Sequence, residues 1–230
     1  MMGLAKMSPD GWRYYAEEVA LGGEDYFAGH AEEPGRWVGR GAKALELSGE
    51  VDPEEMEKLF GHGCHPLTGE PLGRPFAGED KPSAKALEGH GGPGEVAGYA
   101  VSFSPPKSIS LLWALADEAT SAEVRAAHDA ATEAALEFLQ DHAAFTRRGK
   151  GGVVQADTEG FVAAAFTHRT SRAGDPQLHT HVLLSAKVRA TTDWAWLALD
   201  GRELYEVQRA AGHLYKAGLR AELSARLGVE

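Results

Sequence analysis

The residues of this 230-residue chain best equipped for chemistry are three histidines and a tyrosine pair. His179-Thr180-His181 reads as part of a strand, where side chains alternate and residues two apart share a face. Both imidazoles then point the same way and could hold one ion. His168 falls at the end of the preceding strand, and the polar stretch Thr170–Gln177 is short enough to return the chain beside it. If those strands pair antiparallel, three neutral imidazoles converge. Such a set can bind Zn, Mn, Co or Ni and leave positions open for substrate oxygens. Histidines at this spacing also occur on solvated strands, and spacing alone does not name a metal. Tyr14-Tyr15 offers two phenols, nucleophilic once they shed a proton whose ordinary pKa is about 10. The plainer role of such a pair is two amphipathic rings half-buried beside a sheet.

The elements that must position these groups are legible in outline. Trp12–Val19 has helical character and carries the tyrosine pair. A helix is expected at Asp52–Phe60, with Asp52 as N-cap and Pro53 in its first turn. The stretch 61–95 is dense in Gly, Pro and His and reads as a long loop. Gly98–Phe103 reads as a strand, Ser104-Pro105-Pro106 as a helix start leading into Lys107–Ala116, and Ser121–His142 as an Ala-rich helix. Val153–Ala156, a turn at Asp157–Gly160, and Phe161–His168 predict a β-hairpin. Leu178–Val188 is the next strand, Trp194–Leu199 a further one, and Arg202–Leu227 the last helix. Strands with helices before, between and after them predict an α+β fold, a central antiparallel sheet flanked by helices. The chain is expected to be one domain over 1–230. It stops at Gly228-Val229-Glu230 without a domain-ending signal, which predicts truncation at the C-terminus.

Composition sets bounds. Hydrophobic content of 43% and charged content of 25% suit a globular protein with a substantial core. No apolar run approaches the ~20 residues that span a bilayer, and the start lacks a secretory h-region. The single Cys64 excludes an internal disulfide and suits a reducing cytoplasm, so a cytoplasmic protein without membrane insertion is expected. A net charge of −11 argues against a nucleic-acid partner. The charge is uneven, however: Tyr14–Phe60 holds 12 acidic and 4 basic residues, whereas Arg147–Arg189 holds 7 basic and 3 acidic ones. A local basic groove can hold phosphates on an otherwise acidic surface.

The segment Phe166-Thr-His-Arg-Thr-Ser-Arg-Ala-Gly-Asp-Pro-Gln-Leu-His-Thr-His-Val182 resembles the three-histidine motif of the TrwC/TraI-type (MobF) conjugative relaxases. These are HUH endonucleases (histidine, hydrophobe, histidine), although the middle residue here is Thr180. The resemblance continues through Tyr14-Tyr15, Asp25-Tyr26-Phe27, Trp37–Ala42, Leu47–Val51 and Ser102-Phe-Ser-Pro-Pro-Lys-Ser108, in order over nearly the whole chain. It implies a palm-like two-layer sandwich and a site-specific DNA-nicking and joining enzyme. The metal would be divalent (Mg, Mn or Zn), held by His168, His179 and His181. Tyr14 matches the leading catalytic tyrosine, Tyr15 is its neighbour and possible substitute, and Tyr26 matches the first member of a second pair. Phe27 departs from that pattern and has no hydroxyl.

The implied reaction is a transesterification that leaves a 5′-phosphotyrosine link and a free 3′-hydroxyl; it conserves phosphodiester energy and consumes no nucleotide cofactor. The implied partners are single-stranded origin-of-transfer DNA, transfer accessory proteins and a secretion coupling protein. A monomer in the bacterial donor cytoplasm is expected, able to pass to the recipient with the DNA. A second departure is Ala100. Relatives carry an aspartate there, which orients a metal histidine and helps deprotonate the tyrosine; its loss predicts slow nicking.

Smaller candidates follow. Lys107, in the first turn of a helix, is a phosphate-contact candidate, and Arg169 and Arg172 could clamp phosphates as forked donors. Trp37, Trp194 and Trp196 could stack on bases, with core packing the better expectation for each. His62, Cys64 and His65 lack a matching second half for a zinc knuckle, and His128 reads as a packed core histidine. Two other functions compete with nicking. His168-Arg-Thr170 and His179-Thr-His181 resemble the His-x-Thr motifs of metal-free two-histidine phosphoesterases, and Ala100 suits a catalytically impaired single-stranded-DNA-binding module.

Overall fold

A computed structural model of the chain describes residues 1–20 (side chains to 15), 33–74, 76, 95–171 and 173–228. Its centre is an antiparallel five-stranded sheet in the order β1-β3-β7-β6-β2. The strands are β1 (Met2–Met7), β2 (Arg36–Val38), β3 (Gly98–Phe103), β6 (Ala163–Thr170) and β7 (Pro176–Ser185). Two small ribbons stand apart, β4 (Phe145–Arg148) with β5 (Val154–Asp157), and β8 (Lys187–Arg189) with β9 (Trp196–Ala198). Helices are α1 (Gly11–Ala20), α2 (Pro53–Met56), α3 (Lys107–Leu115), α4 (Glu118–Ala143) and α5 (Gly201–Leu227). The α+β expectation holds.

Side-chain alternation divides the core into two layers. On one face Val101, Phe103, Ala163, Ala165, Leu178, Val182 and Leu184 pack against Val124, Ala127, Ala131 and Leu139 of α4 and Tyr215 and Leu219 of α5. On the other, Ala100, Ala164, Phe166 and Leu183 meet Trp12, Trp37, Met56, Leu59 and Phe60. Beyond this cluster the same face of β6 and β7 carries His168, His179 and His181.

Local chemistry explains the helix boundaries. Asp52 caps α2 by accepting from the Glu54 amide at 2.7 Å, with Pro53 at its first position; the helix continues as a π turn over Glu57–Gly61. α4 starts earlier than the alanine periodicity indicates, because Asp117 accepts from the Thr120 amide at 2.9 Å. α5 ends at Gly228 in the left-handed conformation.

Two sequence expectations are overturned, and one strand is missed. The hairpin between Val153–Ala156 and Phe161–His168 does not form; β5 pairs with β4, whereas β6 pairs with β7 and β2. Polar, exposed β5 has no apolar face to bury, while Ala163–Phe166 is buried on both faces. Between them Gly160, at φ 107, redirects the chain. Leu178–Val188 is not one strand: β7 ends at Ser185, and β8 leaves to pair with β9. The edge strand β1, which pairs with β3 from Met2↔Phe103 to Met7↔Gly98, carries no clear sequence signal. The first part of the 61–95 loop is packed, with Cys64 bridged to Pro71 and Leu72 buried.

Candidate metal and nicking site

The β6–β7 ladder builds the site. Its register pairs Phe166 with His181, Thr167 with Thr180 and His168 with His179, then shifts between His168 and Thr170. His168, His179 and His181 therefore project from the face opposite α4 and α5. Their ring centroids lie 5.1 Å (His168–His179), 5.2 Å (His168–His181) and 4.9 Å (His179–His181) apart. One nitrogen from each lies within 4.8 Å of those of the others. This convergence requires both strands, and it matches the expectation drawn from spacing.

The hydrogen bonding and burial of the rings suit a cation. His179 Nδ1 lies 2.9 Å from the Gln177 carbonyl, which can only accept, so Nδ1 carries a proton and Nε2 is the nitrogen left to face an ion. Burial, reinforced by His179 and His168, lowers the pKa of His181 to about 3 and keeps it neutral near pH 7. Its Nδ1 is buried without a hydrogen-bond partner among the described residues. His168 is 4% exposed. Three imidazole nitrogens gathered on one face fit a divalent transition metal.

Helix α1 lies over this face. The Tyr15 ring centroid is 4.8 Å from that of His181, and Tyr14 stands edge-on to Tyr15 at 5.1 Å. Tyr14 is 41% exposed at the rim, while Trp12, 6% exposed, anchors the helix in the core. An Arg13–Glu57 ion pair at 3.1 Å ties α1 to the π turn. Tyr15 thus packs on His181, and Tyr14 packs on Tyr15. Tyr26 and Arg172 lie outside the described residues.

Ala100 sits on the same sheet face. It pairs with Leu183 of β7 and is 6% exposed, and its strand neighbour Ser102 pairs with His181. A side chain at position 100 is therefore a diagonal neighbour of His181, whose Nδ1 is the orphaned atom.

The basic candidates are more committed than the sequence indicates. Lys107 donates to the Pro176 carbonyl at 2.9 Å and so fixes the start of β7. The Arg169 guanidinium lies over Trp113 at 5.9 Å and within 3.9 Å of Glu33. Glu33 is itself held by Arg125 at 2.7 Å. In the basic segment, Arg147 pairs with Asp200, Arg148 with Asp193 and Arg189 with Glu159. Trp37 is core, as expected, and donates to Glu55 at 2.9 Å. Trp196 is half-buried against the second cluster. Trp194 is a correction: it is 59% exposed, because the β8–β9 turn holds it at φ 61 with the Arg189 guanidinium 5.2 Å from its ring.

His65 Nδ1 accepts the Leu67 amide at 3.3 Å, and the three-histidine group is the one metal-capable cluster among the described residues. In the second segment the threonine position of His-x-Thr is taken by His181, while Thr180 faces the helices and bonds His128 at 2.8 Å. Sequence reasoning missed the hydrogen bonds of that threonine; the signal was a threonine at the centre of the histidine pair and another just before His168.

Comparison with known proteins agrees with this geometry. A family model described as TrwC relaxase matches residues 8–230. The multifunctional conjugation protein TraI of Escherichia coli K12 is 30% identical over 202 residues, 85% of this chain, although the chain spans only 10% of that relative's length. The conjugative relaxase TrwC, solved with oriT DNA in a copper-bound structure, superposes with a TM-score of 0.77 at 32% identity, covering 100% of this chain and 72% of that one. A metal-bound structure of TrwC with oriT DNA gives a TM-score of 0.78 at 30% identity over 71% of that chain. Among the described residues, no helix is long and apolar enough to cross a membrane. The convergent histidines, the overlying tyrosines and these matches lead to one assignment: the chain belongs to the TrwC relaxase family.

Proposed function

We propose that this chain nicks and rejoins single-stranded DNA at a transfer origin by attack of Tyr14 on the scissile phosphate. The observation that carries this reading is the approach of three imidazole nitrogens to within 4.8 Å of one another beneath a tyrosine-bearing helix. His168, His179 and His181 would hold a divalent ion, which supplies Lewis acidity at the phosphate oxygens. The remaining work falls to the protein. Burial keeps the His181 imidazole neutral, and the Gln177 carbonyl holds the proton of His179 on Nδ1. Tyr15 packs on His181 and props Tyr14 at the rim, where a strand can reach its hydroxyl.

In the attack, Tyr14 Oη forms a bond to phosphorus as the bond to the 3′ oxygen breaks. The phenol proton goes to solvent or a base, and the leaving alkoxide takes up a proton to become a free 3′-hydroxyl. The product is a 5′-phosphotyrosine ester of similar energy, so the reverse reaction rejoins the strand. Tyr15 is the alternative nucleophile, and Tyr26 is assigned to a second transfer step. Single-stranded oriT DNA is the substrate, by analogy with the TrwC complexes, and accessory and coupling proteins are the expected partners. The whole reading describes a monomeric cytoplasmic enzyme.

The test is incubation with an oriT-derived oligonucleotide and Mn(II) or Mg(II), resolved on a denaturing gel. A covalent adduct lost in Tyr14→Phe and in EDTA supports the proposal. An adduct that persists in Tyr14→Phe and disappears in Tyr15→Phe moves the nucleophile by one residue. Binding without any adduct leaves a DNA-binding module in which Ala100 has cost the activity, and overturns nicking.

A further inference from the structure

On the helical face of the sheet, directly behind the three histidines, lies a buried chain of hydrogen bonds. Tyr215 Oη of α5 lies 2.8 Å from His128 Nδ1 of α4. His128 Nε2 lies 2.8 Å from Thr180 Oγ1 of β7, and Thr180 Oγ1 lies 3.0 Å from Thr167 Oγ1 of β6. Tyr215, His128 and Thr180 are 0% exposed and Thr167 is 7% exposed. Burial keeps His128 neutral, so its ring offers one donor and one acceptor, and hydroxyls on both sides satisfy both. Thr132 Oγ1 donates to the His128 carbonyl at 2.8 Å and secures the same turn of α4.

The placement of this chain is specific. Thr180 separates His179 from His181, Thr167 precedes His168, and the two threonines are partners in the β6–β7 register. One residue beyond, the register shifts between His168 and Thr170. A slip of one residue in this ladder would turn every side chain, the histidines included, to the opposite face. The run Ala163–Ala165 consists of three alike small side chains, so the register is marked by Phe166, Leu178, Val182 and the threonine pair. A directional bond from α4 into the threonine pair distinguishes the correct register from its neighbours.

We infer that His128, together with Tyr215, Thr180 and Thr167, is a positioning network that sets the geometry of the metal-binding histidines through the sheet. All four lie on the helical side of the sheet, away from the histidine face. The inference rests on the proposal that His168, His179 and His181 hold a divalent ion, and it adds that their preorganisation depends on side chains of the opposite face.

Calorimetric titration of the folded chain with Mn(II) or Co(II) tests it, alongside the visible d–d spectrum of bound Co(II) and thermal unfolding in EDTA. Thr180→Val keeps the shape and removes the hydroxyl; His128→Leu with Thr180→Val removes both partners; Thr180→Ser keeps the hydroxyl. Leu139→Ala, a cavity in α4 away from the network, controls for lost stability. The expected result is metal affinity about tenfold weaker, with an altered Co(II) spectrum, in both valine variants. Thr180→Ser and Leu139→Ala should stay within about twofold of wild type at temperatures where each is folded.

If wild type binds no metal, the parent proposal fails. If wild type binds and the folded valine variants bind equally well, the positioning network is refuted while the metal site stands. If Leu139→Ala loses as much affinity as they do, the effect is global stability and the inference is also overturned.

Discussion

Introducing a carboxylate at position 100 probes the site most directly. Ala100 lies on the histidine face of β3, opposite Leu183 and diagonal to His181. Diagonal cross-strand residues stand about 7–8 Å apart. Aspartate Oδ and histidine Nδ1 each lie two bonds of about 1.4 Å from their own Cβ, so together the side chains bridge this distance to hydrogen-bond contact. The acceptor would meet the one His181 nitrogen that is buried without a hydrogen-bond partner. The bond would fix the Nδ1–H tautomer, present Nε2 to the ion and raise the depressed His181 pKa.

Partners of this kind change metal affinity or activity 10–100-fold. Ala100→Asp should therefore tighten Mn(II) binding by at least about tenfold, roughly 1.4 kcal/mol, and accelerate single-turnover nicking of an oriT oligonucleotide. Thermal unfolding supplies an internal check. A carboxylate buried in this apolar cluster without a partner costs several kcal/mol, whereas one bonded to His181 leaves stability nearly unchanged. A well-folded variant with unchanged metal affinity and nicking rate would refute both the geometry and this explanation of Ala100. A strongly destabilised variant would show that the introduced carboxylate does not reach His181.

Three other outcomes are expected. His179→Ala should weaken Mn(II) binding by at least about 100-fold and abolish the covalent adduct, yet leave oligonucleotide binding measurable by fluorescence anisotropy; full nicking activity in this variant or in EDTA would remove the metal from the reaction. Stability should fall as pH drops below 6.5, because burial holds His128 and His181 at about 3 in the fold while both titrate near 6.5 when unfolded. The unfolded chain then binds more protons between those limits, at up to about 1.4 kcal/mol per pH unit for each histidine, and above pH 6.5 the contribution is complete; urea midpoints identical at pH 7 and pH 5 would contradict this. Gly201→Ala should lower the melting temperature by about 2–12 °C, since a Cβ there would lie 1.8 Å from the Tyr99 hydroxyl; an unchanged melting temperature would show that the start of α5 does not abut Tyr99 of β3.

The chemistry and the local elements are legible in the linear chain. Histidines two apart on a strand must share a face, and the resemblance to relaxases in Tyr14-Tyr15 and the three-histidine segment named the reaction class. Asp52-Pro53, Ser104-Pro105-Pro106 and the alanine periodicity of α4 mark helices, since caps, prolines and periodicity act within a few residues. Strand pairing, by contrast, is settled in three dimensions. The stretch Val153–Ala156 has strand character equal to its neighbours, yet β5 lacks a face to bury and leaves the central sheet. Strand β1 and the departure of β8 from β7 rest on partners distant in sequence. The same holds for the bonds from Tyr215 through His128 to Thr180, which span 87 and 52 residues. Burial reveals such polar pairs because each must be satisfied once water is excluded, and a linear pattern carries no record of which distant hydroxyl satisfies which imidazole.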